Sequence, residues 1–192
     1  FSALVLAAVL ATVLSIDDNG PEYKNIDIET FLNTSKKVWV YNTTELGTVT
    51  CRMDNHTKVE SNFTLFTRQF LNNSNKTMND RQGNFFTYEG LRKPDNKKYD
   101  SMTVIDSDEK EYSEEIIEFQ NKANTCAVVS VHDFSDGFSN IWRDLRMSDS
   151  TIDDGPEQDC AEAFEYIVRQ TPKKSWRKIF EPNCREILTI SF

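Results

Sequence analysis

Glycine and proline are scarce, six and five residues in a chain of 192. That excludes collagen-like and low-complexity classes, which are rich in one or both. Histidine is scarcer still: only His56 and His132. His56 lies inside an Asn-His-Thr sequon and is expected at the surface. His132 and Asp133 are neighbours on a predicted strand and so face opposite ways. No catalytic dyad and no metal-ligand cluster is visible, so neither an enzyme nor a cofactor is expected. Positive charge is in deficit, with 22 Lys and Arg against 31 Asp and Glu, a net −9. Nucleic acid and anionic membrane surfaces call for cationic patches, so neither is an expected partner. The one long apolar run, FSALVLAAVLATVL at 1–14, falls short of the ~20 residues that a spanning helix takes.

That run instead matches the apolar region of a secretory signal peptide, with cleavage expected after Ser15. No Met or basic residue precedes Phe1, so the signal reads as truncated at its start. Residues 16–24 read as a flexible leader, and 25–192 as one domain. Four cysteines, Cys51, Cys126, Cys160 and Cys184, imply two bridges in a secreted chain, with three pairings open. Six Asn-X-Ser/Thr sequons, at Asn33, Asn42, Asn55, Asn62, Asn72 and Asn75, crowd into residues 33–77 and suggest a glycan-bearing surface.

The middle of the chain is a succession of strand-like runs. A short helix carrying Ile28, Phe31 and Leu32 on one face precedes them. The runs fall at 37–41, 48–53, 61–71, 84–90, 99–105, 114–120, 125–134 and 140–147, with turn-rich NNSNK after the third. Strands at this spacing suggest an antiparallel meander. An up-and-down barrel of eight strands has no free edge and can hold one small ligand inside. From Pro156 the pattern becomes helical: Cys160, Ala163, Phe164, Ile167 and Val168 recur at three and four, a stripe to be buried outside the barrel. The acidic stretch from Asp106 to Glu115 reads as a solvated turn. It lacks the glycine bend of a calcium loop.

The Cys126…Trp142…Cys160 spacing, the KVWVYNTT strand after a short helix, and the CAEAF helix followed by Cys184 resemble tick salivary lipocalins of the histamine-binding protein family. The resemblance covers roughly residues 25–190. It implies an eight-stranded antiparallel lipocalin barrel with a C-terminal helix outside, and bridges Cys51–Cys184 and Cys126–Cys160. It also implies a secreted, monomeric salivary protein that sequesters a small host inflammatory mediator, either an amine such as histamine or serotonin or an eicosanoid. A protein-binding inhibitor of host complement or haemostasis, with a plasma protein as partner, is the alternative.

The family's hallmark acids are missing here: Ala127 stands where the family has Asp, and Asn140 where it has Glu. With Trp142 pointing inward as in the family, Asn140, Asp144 and Arg146 share its face at steps of two, and Val129, Val131 and Asp133 share that of Ala127. Trp39 and Tyr41 are placed inward on the first strand. The expected lining is therefore mostly apolar and poor in acids. It disfavours a buried ammonium, which needs a carboxylate, and favours a fatty ligand. Asp133, Asp144, Glu89 and Glu118 are the acids that could substitute. Asn140 and Arg146 are the anchors for a polar ligand group, Arg146 being more readily read as a surface charge beyond its strand. Trp142 serves either as core or as ligand wall.

Overall fold

A computed structural model of the chain describes residues 26–88, 98–135, 137 and 139–189. The expected signal peptide and leader, the end of the fourth predicted run at Glu89 and Gly90, and much of the loop after it lie outside those residues. Helix α1 (Ile28–Thr34) leads into β1 (Lys37–Thr43), β2 (Val49–Val59), β3 (Phe63–Asn72), β4 (Asn75–Phe86), β5 (Ser101–Ile105), β6 (Glu111–Gln120), β7 (Cys126–Asp133) and β8 (Asn140–Ser148). Helix α2 (Gln158–Arg169), the two-residue β9 (Arg177–Lys178) and α3 (Cys184–Thr189) complete the chain. Each strand of the meander pairs antiparallel with the next, and β1 pairs with both β2 and β8, which closes an eight-stranded barrel.

Two differences from the sequence expectation are local. The fourth strand begins at Asn75, not at residue 84, because Asn73 and Ser74 (φ 48° and 67°) form a two-residue hairpin turn that needs no longer loop. The C-terminal segment also enters the wall. Arg177 and Lys178 pair with Thr43 and Asn42, while Cys51 N–H donates to the Ile179 carbonyl at 2.9 Å. Residues 177–179 therefore wedge between β1 and β2 where those strands diverge. The Arg177 side chain ties the β1–β2 loop by donating to the carbonyls of Glu45 and Val49.

Alternation sorts the strand side chains into two cores. The outer one packs Trp39, Met53, Leu71, Phe119, Val128, Leu145 and Met147 under the stripe Cys160, Ala163, Phe164, Ile167 and Val168 of α2. The inner one packs Val38, Phe66, Phe85, Met102, Val104, Ile117, Ala127 and Val129 against Ile28, Phe31 and Leu32 of α1, which plugs one end of the barrel. The Asp27 side chain caps that helix by accepting from Thr30 N–H. Packing here is tight: a Cβ on Gly83 would sit 2.6 Å from the Met102 sulfur. This half of the barrel is filled by its own side chains.

Trp39 and Tyr41 thus face outward, contrary to the expectation. Trp39 meets Phe180 edge-on at 5.3 Å and donates its indole N–H to Asp149 at 2.7 Å. Tyr41 stacks on the same Phe180. The two share a face as alternation requires, but Val38 takes the inner one; the register shift between Val40 and Asn42 then turns Thr43 inward to Asp144.

Disulfides join Cys51 to Cys184 and Cys126 to Cys160, across 133 and 34 residues. These are the pairs implied by the family resemblance. On chain entropy, Cys51–Cys184 contributes about 5 kcal/mol and Cys126–Cys160 about 4 kcal/mol. Urea unfolding of the Cys51→Ala/Cys184→Ala and Cys126→Ala/Cys160→Ala double variants is expected to rank them in that order.

A candidate ligand chamber at the open end

Opposite α1 the barrel opens into a chamber of about 440 Å³. Phe70, Tyr112, Val131 and Trp142 form its walls, Glu45, Leu46, Asn72, Ser135 and Asn140 its rim, and Arg52 and Arg68 its floor. Asp133 and Lys173 also line it. The strands explain these positions. On β2, Cys51 and Met53 are committed to the outer core, which turns Arg52, Asp54 and His56 inward. The Arg81 guanidinium lies over the Tyr112 ring, 4.6 Å from its centre.

Beneath the floor lies a charged lattice, contrary to the expectation of an acid-poor interior. Arg68 grips Asp54 through two hydrogen bonds, of 2.8 and 2.7 Å, and reaches Glu115 at 2.8 Å. Arg146 donates to the other oxygen of Glu115 and lies 3.6 Å from Asp144. Asp144 accepts from the Thr43 hydroxyl at 2.7 Å, and Arg52 lies 3.8 Å from its second oxygen. Three guanidiniums and three carboxylates, all buried, thus neutralise one another inside the barrel. Burial alone would favour protonated carboxyls. For Asp54 that penalty is outweighed by Arg68 and then Arg146, and for Glu115 by Arg146 and then Arg68, so both carboxyls are held below their ordinary range.

The expectation of an acid-poor lining is therefore corrected. Glu115 belongs not to a solvated turn but to the interior, and Arg146 is a buried partner, not a surface charge. His56 is buried, not exposed: its Nδ1 lies 2.8 Å from the Thr64 hydroxyl. That hydroxyl donates to the Lys58 carbonyl, so Nδ1 carries the imidazole proton.

Of the residues expected to meet a ligand, Trp142 and Asn140 line the chamber, Asn140 at its exposed rim. Asp144 is enclosed beneath the floor, Ala127 and Val129 belong to the packed inner core, and Trp39 and Tyr41 lie outside the barrel. Of the possible substitute acids, Asp133 lines the chamber, whereas Glu118 is on the outside, paired with Arg143 at 3.0 Å. Glu89 lies outside the described residues. Arg52, Arg68, Phe70 and Tyr112 were missed. For Arg52 a signal existed: a bridged, outward Cys51 makes its neighbour face inward. Among the sequons, Asn33, Asn62, Asn72 and Asn75 are exposed, Asn55 is half-buried, and Asn42 is buried.

A closed antiparallel barrel, plugged at one end by a helix and open at the other into a lined chamber, is the architecture of a lipocalin-type binding protein. The model of the tick histamine binding protein family matches residues 16–186, and the chain belongs to that family. Among solved structures, the AM182 serotonin complex is similar in fold, with a TM-score of 0.60 at 14% identity over 85% of this chain and 95% of that one. The siderocalin Ex-FABP is similar at a TM-score of 0.51 and 7% identity, over 71% of this chain and 85% of that one. A search of curated proteins gave no match.

Acid should weaken this fold in two stages. Burial pushes His56 down to about 4, so the unfolded chain takes up a proton below pH 6.5 while the folded one does not. Between pH 6.5 and about 4 this removes about 3 kcal/mol. Asp54 and Glu115 add their loss below the ordinary carboxylate range, where the unfolded chain again binds protons first. Thermal melts across pH 7 to 4 are expected to show a flatter decline above pH 4.5 in His56→Gln. Glu115→Gln, which strips the counter-charge from Arg146, is expected to cost about 3–5 kcal/mol at pH 7, measured by urea unfolding.

Proposed function

We propose that this protein binds one small organic amine in the chamber and, as a secreted salivary protein, sequesters such a mediator from the host. The observation that carries the reading is Asp133. Its carboxylate lines the chamber and accepts from the backbone and hydroxyl of Ser135, but no cation among the described residues pairs with it. It stands two residues along β7 from Val131, the cross-strand partner of Trp142. A carboxylate without a counter-cation beside aromatic faces is what a ligand ammonium requires. Family membership and the fold shared with a serotonin complex support the same reading. The packed inner core argues for one ligand per chain. The apolar run at 1–14, two disulfides and exposed sequons at Asn33, Asn62, Asn72 and Asn75 support an extracellular, glycosylated setting.

A second reading, an eicosanoid-type acid, draws on the guanidinium of Arg52 at the floor, whose buried Nε has no hydrogen-bond partner among the described residues. Native mass spectrometry and calorimetry with histamine, serotonin, a leukotriene and a thromboxane analogue separate the two. The expected result is 1:1 amine binding, weakened at least tenfold in Asp133→Asn, about 1.4 kcal/mol. Lipid binding indifferent to that substitution would support the second reading, and no amine binding would remove the first.

A further inference from the structure

The two arginines on the chamber floor are held very differently. Arg68 is locked by three hydrogen bonds to Asp54 and Glu115. Arg52 makes one, to Glu45 on the β1–β2 loop at 2.7 Å, and its next carboxylate, Asp144, is 3.8 Å away. Its Nε, though buried, has no hydrogen-bond partner among the described residues. What surrounds it instead is aromatic: the guanidinium carbon lies 5.8 Å from the centre of the Trp142 ring and 5.9 Å from that of Phe70. Both distances are within the range of cation–π attraction.

Two aromatic faces with carboxylates behind them form a cradle for a positive charge, and here the chain's own side chain lies in it. We propose that Arg52 is a built-in competitor. Its guanidinium occupies a cation position of the chamber, and a ligand amine enters that position by displacing it. The proposal rests on the amine reading of the chamber and adds to it the residue that sets amine affinity. The geometry allows the exchange. When Arg52 leaves, Asp144 keeps the Thr43 hydroxyl at 2.7 Å and Arg146 at 3.6 Å, so the lattice below is not stripped of partners. Glu45, whose backbone carbonyl is held by Arg177, stays at the rim, so an ammonium that enters the vacated position faces this carboxylate within the same chamber that Asp133 lines. The arrangement makes the chamber selective, because a neutral ring gains nothing by displacing a guanidinium from two carboxylates and two aromatic faces.

The test is calorimetric titration of the parent, Arg52→Met and Arg52→Gln with serotonin, histamine and the uncharged 5-hydroxyindole. Both variants are expected to bind the two amines at least tenfold more tightly than the parent, with 5-hydroxyindole changed less than threefold. Equal or weaker amine binding in either variant, with circular dichroism and cooperative melting like the parent's, overturns the proposal. So does an equal gain for 5-hydroxyindole, which would mark space, not charge, as the cause. In the parent itself, serotonin should shift the Arg52 Nε–H signal in nitrogen-correlated NMR, and an unmoved signal at saturation also overturns it. The amine reading is judged separately. Amine binding by the variants but not the parent supports the competitor and refutes amine binding by the native chain. Amine binding by the parent with no gain in the variants does the reverse, and no binding by any of the three overturns both.

Discussion

The double grip of Arg68 on Asp54, extended through Glu115 to Arg146, is the interaction on which the upper half of the barrel depends. A buried charge left alone costs several kcal/mol, and an incomplete lattice costs more than an apolar core. Here the charges cancel, so the lattice can stand inside a closed sheet. It marks the level at which close-packed aliphatic and aromatic side chains give way to an open chamber. It also fixes Arg68 as an immobile floor, with its charge already spent on two carboxylates. What the chamber presents is therefore set by the groups left over: Asp133 on the wall, Arg52 on the floor, and the rings of Phe70, Tyr112 and Trp142.

The chamber's rim depends on a different contact. Strands β1 and β2 pair only where residues 37–39 at the start of β1 meet residues 53–55 in the middle of β2, and the gap beyond is filled by residues 177–179. The Cys51–Cys184 bond fastens that filler to β2, and Arg177 passes the restraint to the loop that carries Glu45. A covalent bond on the outer face thereby positions a carboxylate at the mouth. The second bridge works away from the chamber, clamping α2 to β7.

Much of this was legible in the chain. Eight strand-like runs, a helical stripe and four cysteines led to the barrel, because alternation and turn chemistry are local signals. Trp142 and its inward face were legible for the same reason. The polarity of the interior was not. The two positions where the family's acids are absent, Ala127 and Asn140, suggest an absence across the whole lining. The carboxylates had not vanished but stood on other strands, Asp54 on β2 and Glu115 on β6, where single residues in mixed runs look like solvent-facing charges. Only pairing across the barrel shows Asp54 and Glu115 meeting the same guanidinium. Trp39 is a different case: alternation puts it and Tyr41 on one face, but which face is outward is decided by Val38 packing inside and by Phe180, which lies far along the chain.

Strand β1 is the seam of the cylinder, and its neighbours β2, β8 and β9 come from both ends of the described chain. As the polypeptide emerges during synthesis, β1 and β2 appear well before β8 and the wedge. Until then the growing sheet has open flanks, the condition most prone to wrong pairing between molecules. Closure brought about by such distant segments is a slow, late event. A vessel whose seam joins an early stave to a late one cannot be whole until both are in place.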